Sequence, residues 1–173
     1  VHRRYRVGSG DEYAIVFSAG GAYIRGFDHE AVMSPYGNDG PWPGILDSVP
    51  DSFRRWVEEP AFCDEDGMPV VTVCLWREAD DEGRRVGEID YPDGERDPDG
   101  SAHLFKLLTG PSPEAFQRFA EDYYEVSVDI DAVRHVYALR PLTQAVVTLL
   151  NADLTLEDLA EDLATARYPS QRR

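Results

Sequence analysis

The sequence predicts an α+β fold: an antiparallel sheet of about four strands with C-terminal helices packed on one face. Three observations carry that expectation. Up to about residue 91 the strand-like segments alternate with a period of two. From residue 101 the period changes to about 3.6, and the helical segments follow the strands instead of alternating with them. No heptad, internal repeat or linker divides the chain. One domain over 1–173 is therefore expected, mainly strands and loops in 1–100 and mainly helices in 101–173.

Residues 13–17 (YAIVF) and 22–27 (AYIRGF) are β-prone runs joined by Ser18-Ala19-Gly20-Gly21, whose glycines supply the positive φ of a tight hairpin. Residues 28–50 form a long irregular stretch in which Pro41, Pro43 and Pro50 break any helix. Residues 51–58 hold two helical turns, with Asp51 as N-cap and Phe53, Trp56 and Val57 as the apolar side. A second hairpin follows, from 69–77 (PVVTVCLWR) to 84–91 (RRVGEIDY), around a polar tip. Its first strand is apolar on both faces, the signature of a central strand covered from both sides.

The helices announce themselves by their caps. Ser112 precedes Pro113 and a stripe of Phe116, Phe119, Ala120, Tyr123 and Tyr124. Asp129 or Asp131 starts a short helix carrying Val133, Val136 and Tyr137. Pro141 opens another with Leu142, Ala145, Val146, Leu149 and Leu150, and Thr155 caps the last, with Asp158 three residues on.

Charge narrows the function classes. The chain carries 33 acidic and 17 basic residues, a formal net charge of −16. Phosphate binding runs on Lys and Arg, so neither a nucleic acid nor an anionic membrane surface is an expected partner. No apolar run approaches the roughly 18 residues that span a bilayer, and none near Val1 resembles a secretory leader. Cys63 and Cys74 are expected as reduced thiols in a cytoplasmic protein, Cys74 acting as a small hydrophobe in its strand. Lys106 is the single lysine against 16 arginines, a bias typical of GC-rich bacterial codon usage.

Asp28-His29-Glu30 is the most chemically loaded tripeptide and the candidate functional corner. In extended backbone His29 points away from Asp28 and Glu30, so the three do not close on one metal ion. The expected role of His29 is to anchor the loop, its ring bonding backbone groups within 37–43. No H-E-x-x-H, C-x-x-C, G-x-S-x-G or phosphate-binding glycine–lysine motif occurs. The acidic run over 90–99 fails the calcium-loop pattern: from Asp97 position 5 is Ser101, and from Asp93 the glycine falls at position 2. No catalytic residue, metal ligand or cofactor follows from spacing.

The segments Gly26-Phe27-Asp28-His29-Glu30, Met33-Ser34-Pro35-Tyr36, Trp42-Pro43-Gly44 and Cys74-Leu75-Trp76-Arg77 resemble a family of uncharacterised bacterial proteins, as do Glu121-Asp122-Tyr123-Tyr124-Glu125 and Leu139-Arg140-Pro141-Leu142-Thr143. The resemblance spans nearly the whole chain, implies a single domain and transfers no catalytic residue. In size and charge the chain also resembles the SMI1/KNR4-like immunity proteins.

Residues 78–99 hold ten acids against three arginines, a net −7 in 22 positions. The leading expectation is therefore a non-enzymatic protein-binding module, immunity-like, that engages a basic protein. Its candidate interaction residues are Glu78, Asp80, Asp81, Glu82, Asp93, Asp97 and Asp99, with Tyr36 and Trp42 of the long loop as aromatic anchors. The alternative is a metal-assisted or acid–base hydrolase built on the Asp28-His29-Glu30 corner.

Overall fold

The computed structural model describes residues 2–6 and 10–169, and Val1 lies outside them. The chain gathers into two compact units, residues 1–106 and 107–173.

The first unit is built on an antiparallel sheet of five strands in sequential order. These are β1 (His2–Arg6), β2 (Glu12–Ser18), β3 (Gly21–Phe27), β4 (Val73–Glu78) and the two-residue β5 (Arg85–Val86). With separate helices over its C-terminal part, the chain has the α+β class its sequence predicts. β1 is the strand that periodicity misses, because HRRYR carries no apolar alternation; it pairs His2 with Val16 and Arg6 with Glu12. So charged a segment suits an outer strand, where it discourages pairing with another chain. The β2–β3 hairpin forms as expected, with Ser18 opposite Gly21 and Glu12 opposite Phe27.

β4 is apolar on both faces for the reason its sequence suggests. Cys74 and Trp76 join Val16, Tyr23, Met33, Ile45, Val49, Phe53, Val57 and Val71 in one core cluster, most of it supplied by residues 28–72, the long loop that connects β3 to β4. Val73 joins Leu104 and Phe105 in a second, against which Tyr13, Ile24 and Leu75 pack. Leu104 ends α1, a single turn over Ser101–Leu104; the short helix over Arg54–Val57 lies within the long loop. Burial pushes the Cys74 thiol up to about 12, so it packs as an unreactive hydrophobe. Both cysteines are free.

A buried arginine fastens the loop to the sheet. Arg25, in the middle of β3, is 3 % exposed. Its guanidinium donates to the carbonyls of Phe62 (3.3 Å) and Val70 and lies 4.3 Å from the Phe62 ring centre. Burial lowers its pKa. A planar donor fork satisfied on several sides is what allows such a cation under a loop.

Five expected elements are shorter or shifted. The strand expected over 69–77 begins only at Val73, Pro69 making an isolated bridge to Cys63 instead. Only Arg85 and Val86 of the 84–91 run pair with β4, because the residues after them pack against the long loop instead. Asp51 begins a one-turn 3-10 helix whose cap position is Pro50. In the second unit Thr143, not Pro141, caps the helix over Gln144–Leu150, its hydroxyl accepting from Val146 N–H at 3.3 Å. Thr155 and Asp158 do form a reciprocal cap, with Thr155 N–H on the Asp158 carboxylate at 2.8 Å. Regular helix starts only at Ala160 (Ala160–Thr165).

Two caps fall where the sequence places them. Ser112 Oγ accepts from Ala115 N–H at 3.0 Å to open the helix over Pro113–Tyr124. Asp129 does the same for Ala132 N–H at 2.8 Å, opening Ile130–Tyr137. Arg134 crosses from that second helix to Glu114 at 2.9 Å. Among the described residues no helix is long and apolar enough to cross a membrane.

Both core clusters of the sheet are supplied from within residues 1–106, which bears on the expectation of one domain over 1–173. A fragment ending at residue 110 is expected to melt in one cooperative transition by circular dichroism. A fragment without a cooperative transition would mean that the sheet needs the helices, and would uphold the single domain.

Candidate functional site

Two features of the first unit concentrate chemistry. The first is the corner at the open end of the β2–β3 hairpin. Its register places Asp11 against Asp28, one step beyond the Glu12–Phe27 pair. Both carboxylates are buried, Asp11 at 4 % and Asp28 at 8 % exposure. Asp11 Oδ1 accepts from the backbone N–H of His29 at 3.0 Å and lies 2.7 Å from His29 Nδ1. Asp11 Oδ2 lies 3.7 Å from Nε2 of His103, on α1. Glu30 is exposed and reaches the other side of the His29 ring, with Oε1 3.8 Å from Nε2.

The alternation argument fails here: His29 and Glu30 lie in a turn, not in extended backbone, and the His29 ring comes within 4.8 Å of an Asp28 carboxylate oxygen and 3.8 Å of Glu30 Oε1. What brings chemistry to the corner is Asp11 and His103, both absent from the candidates drawn from the sequence. Asp11 was accessible to sequence reasoning, since the hairpin register alone sets it opposite Asp28. His103 was not, because its place depends on the turn that starts α1. In that turn Asp97 accepts from Ala102 and His103 N–H, both at 3.0 Å, and Asp99 accepts from Ser101 N–H at 2.9 Å. Gly100, at φ 72, presses its backbone against the Asp28 side chain, where a Cβ would collide.

His29 is not the loop anchor expected. Its ring bonds Asp11, and Asn38 ties the loop, its amide donating to the carbonyls of Val32 (2.7 Å) and Ser34 (2.9 Å). A primary amide has two donors and meets two carbonyls where an imidazole meets one.

The second feature is a cleft of about 480 Å³ lined by Trp42, Pro43, Gly44, Asp47, Ser48, Glu88 and Asp90. Gly44 (φ 88) and Gly87 let two backbones meet here. A Cβ on Gly44 would strike the Glu88 carbonyl, and one on Gly87 the Gly44 carbonyl. Trp42 Nε1–H donates to the Asp90 carbonyl at 3.0 Å, which sets the indole at the cleft wall. Asp47 turns one carboxylate oxygen to Gly44 N–H at 3.1 Å. Asp47, Glu88 and Asp90 are all exposed.

The other interaction candidates divide. Asp80, Glu82 and Asp93 are exposed, and so is Tyr36, which meets Phe27 edge-on at 5.7 Å. Glu78 accepts from Ser52 Oγ at 3.1 Å. Asp81 organises the hairpin tip, pairing with Arg85 at 2.6 Å and accepting from Glu78 N–H at 3.0 Å. Asp97 and Asp99 serve α1 as described, and Asp99 is buried. Of the ten acids over 78–99, six are exposed: Asp80, Glu82, Glu88, Asp90, Asp93 and Glu95.

No family model matches the chain, and no curated protein or solved structure is found to be similar to it.

The corner sets the titration of its groups. The hydrogen bond to Asp11, chiefly, raises the His29 pKa above its ordinary value, with the charges of Asp11, Glu30 and Asp28 acting the same way. Burial raises that of Asp28, with Asp11 adding to it and His103 opposing. A raised histidine pKa means stability that is complete below the unfolded value and is lost as pH rises through the folded one. Proton NMR of the intact chain should therefore show His29 titrating above the usual histidine range, returning toward it in Asp11→Asn. A His29 that titrates at its ordinary value in the parent would contradict the pairing.

Proposed function

We propose that this protein is a non-enzymatic binding module that takes a basic protein partner through the acidic surface around Trp42. The observation that carries the reading is the cleft: three exposed carboxylates, Asp47, Glu88 and Asp90, around a fixed indole. An arginine or lysine side chain suits such a place on two counts. Its charge meets the carboxylates, and its cation or alkyl stem lies against the aromatic face. The exposed acids Asp80, Glu82, Asp93 and Glu95 extend the negative field on either side along the chain and favour encounter with a cationic partner. Asp81 orders the hairpin tip that carries Asp80 and Glu82, whereas Asp97 and Asp99 are committed to the turn that starts α1.

An immunity-like role, in which a basic toxin is held and neutralised, is one form this binding takes. A cytoplasmic, bacterial setting accords with that reading.

Affinity capture from the native lysate, repeated across a salt series, tests the proposal. The expected result is a basic protein retained at low salt, with affinity falling about tenfold or more as salt is raised. Trp42→Ala is expected to cost about 2 kcal/mol of binding, and a combined Asp47→Asn, Glu88→Gln, Asp90→Asn variant to slow association. A partner whose binding ignores both salt and these variants would defeat the proposal, as would the absence of any basic partner.

A further inference from the structure

We propose that Asp11, Asp28, His29 and His103 form a binding site for a divalent transition-metal ion of the zinc class. The site is separate from the acidic cleft and independent of the reading given to it.

The first ground is convergence. Asp11, Asp28 and His29 each offer a ligand atom, and these atoms lie within 4.8 Å of one another. His103 Nε2 lies 3.7 Å from Asp11 Oδ2 but outside that group of three, so it joins as a fourth donor from a different element only through a turn of its side chain. Two ligands on zinc at about 2.0–2.1 Å are roughly 3.3 Å apart in a tetrahedron, so small side-chain rotations gather such a set. The three elements that bring them together are held by backbone and buried hydrogen bonds, which fixes the carboxylates before an ion arrives.

The second ground is the placement of charge. Two aspartates, each more than nine-tenths buried, face each other across the hairpin end. Burying like charges together is costly unless a cation joins them. Backbone N–H groups of His29 and Glu30 donate to Asp11 Oδ1 (3.0 Å) and Asp28 Oδ1 (2.9 Å), and the side chains around the pair include His29 and His103, 42 % and 64 % exposed, and Glu30 at the rim. Buried oxygen donors beneath exposed imidazoles leave an open approach for an ion from solvent.

The third ground is donor chemistry. Two imidazoles with two carboxylates form a mixed nitrogen and oxygen set that suits zinc and its neighbours over magnesium or calcium, which prefer oxygen alone. On binding, the ion takes the place of the proton shared between His29 Nδ1 and Asp11 Oδ1. That proton goes to solvent, and no bond other than coordination forms.

Zinc chloride titrated into the metal-free full-length chain, by calorimetry and by thermal melting, tests the site. One zinc per chain and a raised melting temperature are expected, with excess magnesium unable to compete. His29→Ala and His103→Ala should each weaken binding about tenfold or more, while His135→Ala leaves it unchanged. Both key variants are exposed side chains, so the test stands even if Asp11→Asn fails to fold. No saturable binding at about 100 µM zinc, displacement by magnesium, or affinity unaltered in both His29→Ala and His103→Ala would overturn the proposal.

Discussion

A single buried hydroxyl joins the three segments on which the corner depends. Thr72 is fully buried just before β4. Its Oγ1 accepts from Asp28 N–H at 3.1 Å and donates to the Asp99 carbonyl at 2.7 Å, while its own N–H bonds the Gly26 carbonyl at 2.9 Å. The end of β3, the start of β4 and the turn into α1 therefore meet at one atom. Met33 N–H, bonded to the Pro98 carbonyl at 3.0 Å, stitches the long loop to the same turn. Each of these backbone groups is removed from water and needs a partner, so the junction has little freedom to rearrange. Asp28 and His103 are where they are because the two chain segments that carry them are held to Thr72.

The cleft obeys a different constraint. There the governing contact is backbone on backbone, Gly44 against Gly87 and Glu88, and the indole of Trp42 is set by a carbonyl instead of by packing alone. The core under it is loop-built: Met33, Ile45, Val49, Phe53 and Val57 cover the face of β3 and β4 that carries Tyr23, Cys74 and Trp76. A loop this long earns its order from burial, with Arg25 closing its far end on Phe62 and Val70. The residues that line the cleft thus sit on irregular segments that the sheet holds in place.

Much of this was legible in the amino-acid order, and the exceptions have physical causes. The β2–β3 hairpin, the two-faced β4 and the caps at Ser112 and Asp129 follow from local chemistry: alternation, glycine at the turn, a side-chain oxygen three residues before a bare N–H. β1 escaped because an outer strand of charged residues has no alternating signal. Residues 84–91 promised a full strand, but Gly87 is committed to Gly44, a contact 43 residues away that no local pattern encodes. The candidate site divides in the same way. Asp28, His29 and Glu30 stood out as a cluster in sequence, whereas Asp11 and His103 arrive through strand register and a capped turn. Among the acids, charge was legible but duty was not: Asp81, Asp97 and Asp99 spend their oxygens on backbone N–H groups or an arginine, a choice visible only once the turns are formed.

The most direct test of the Thr72 junction is amide hydrogen exchange in Thr72→Val beside Thr72→Ser. Valine keeps the shape and removes the hydroxyl, leaving Asp28 N–H and the Asp99 carbonyl without their partner at a cost of about 1–3 kcal/mol. The account predicts faster exchange at Asp28 and Met33 in Thr72→Val, with protection largely kept in Thr72→Ser. Parent-like protection of both amides in Thr72→Val would contradict it.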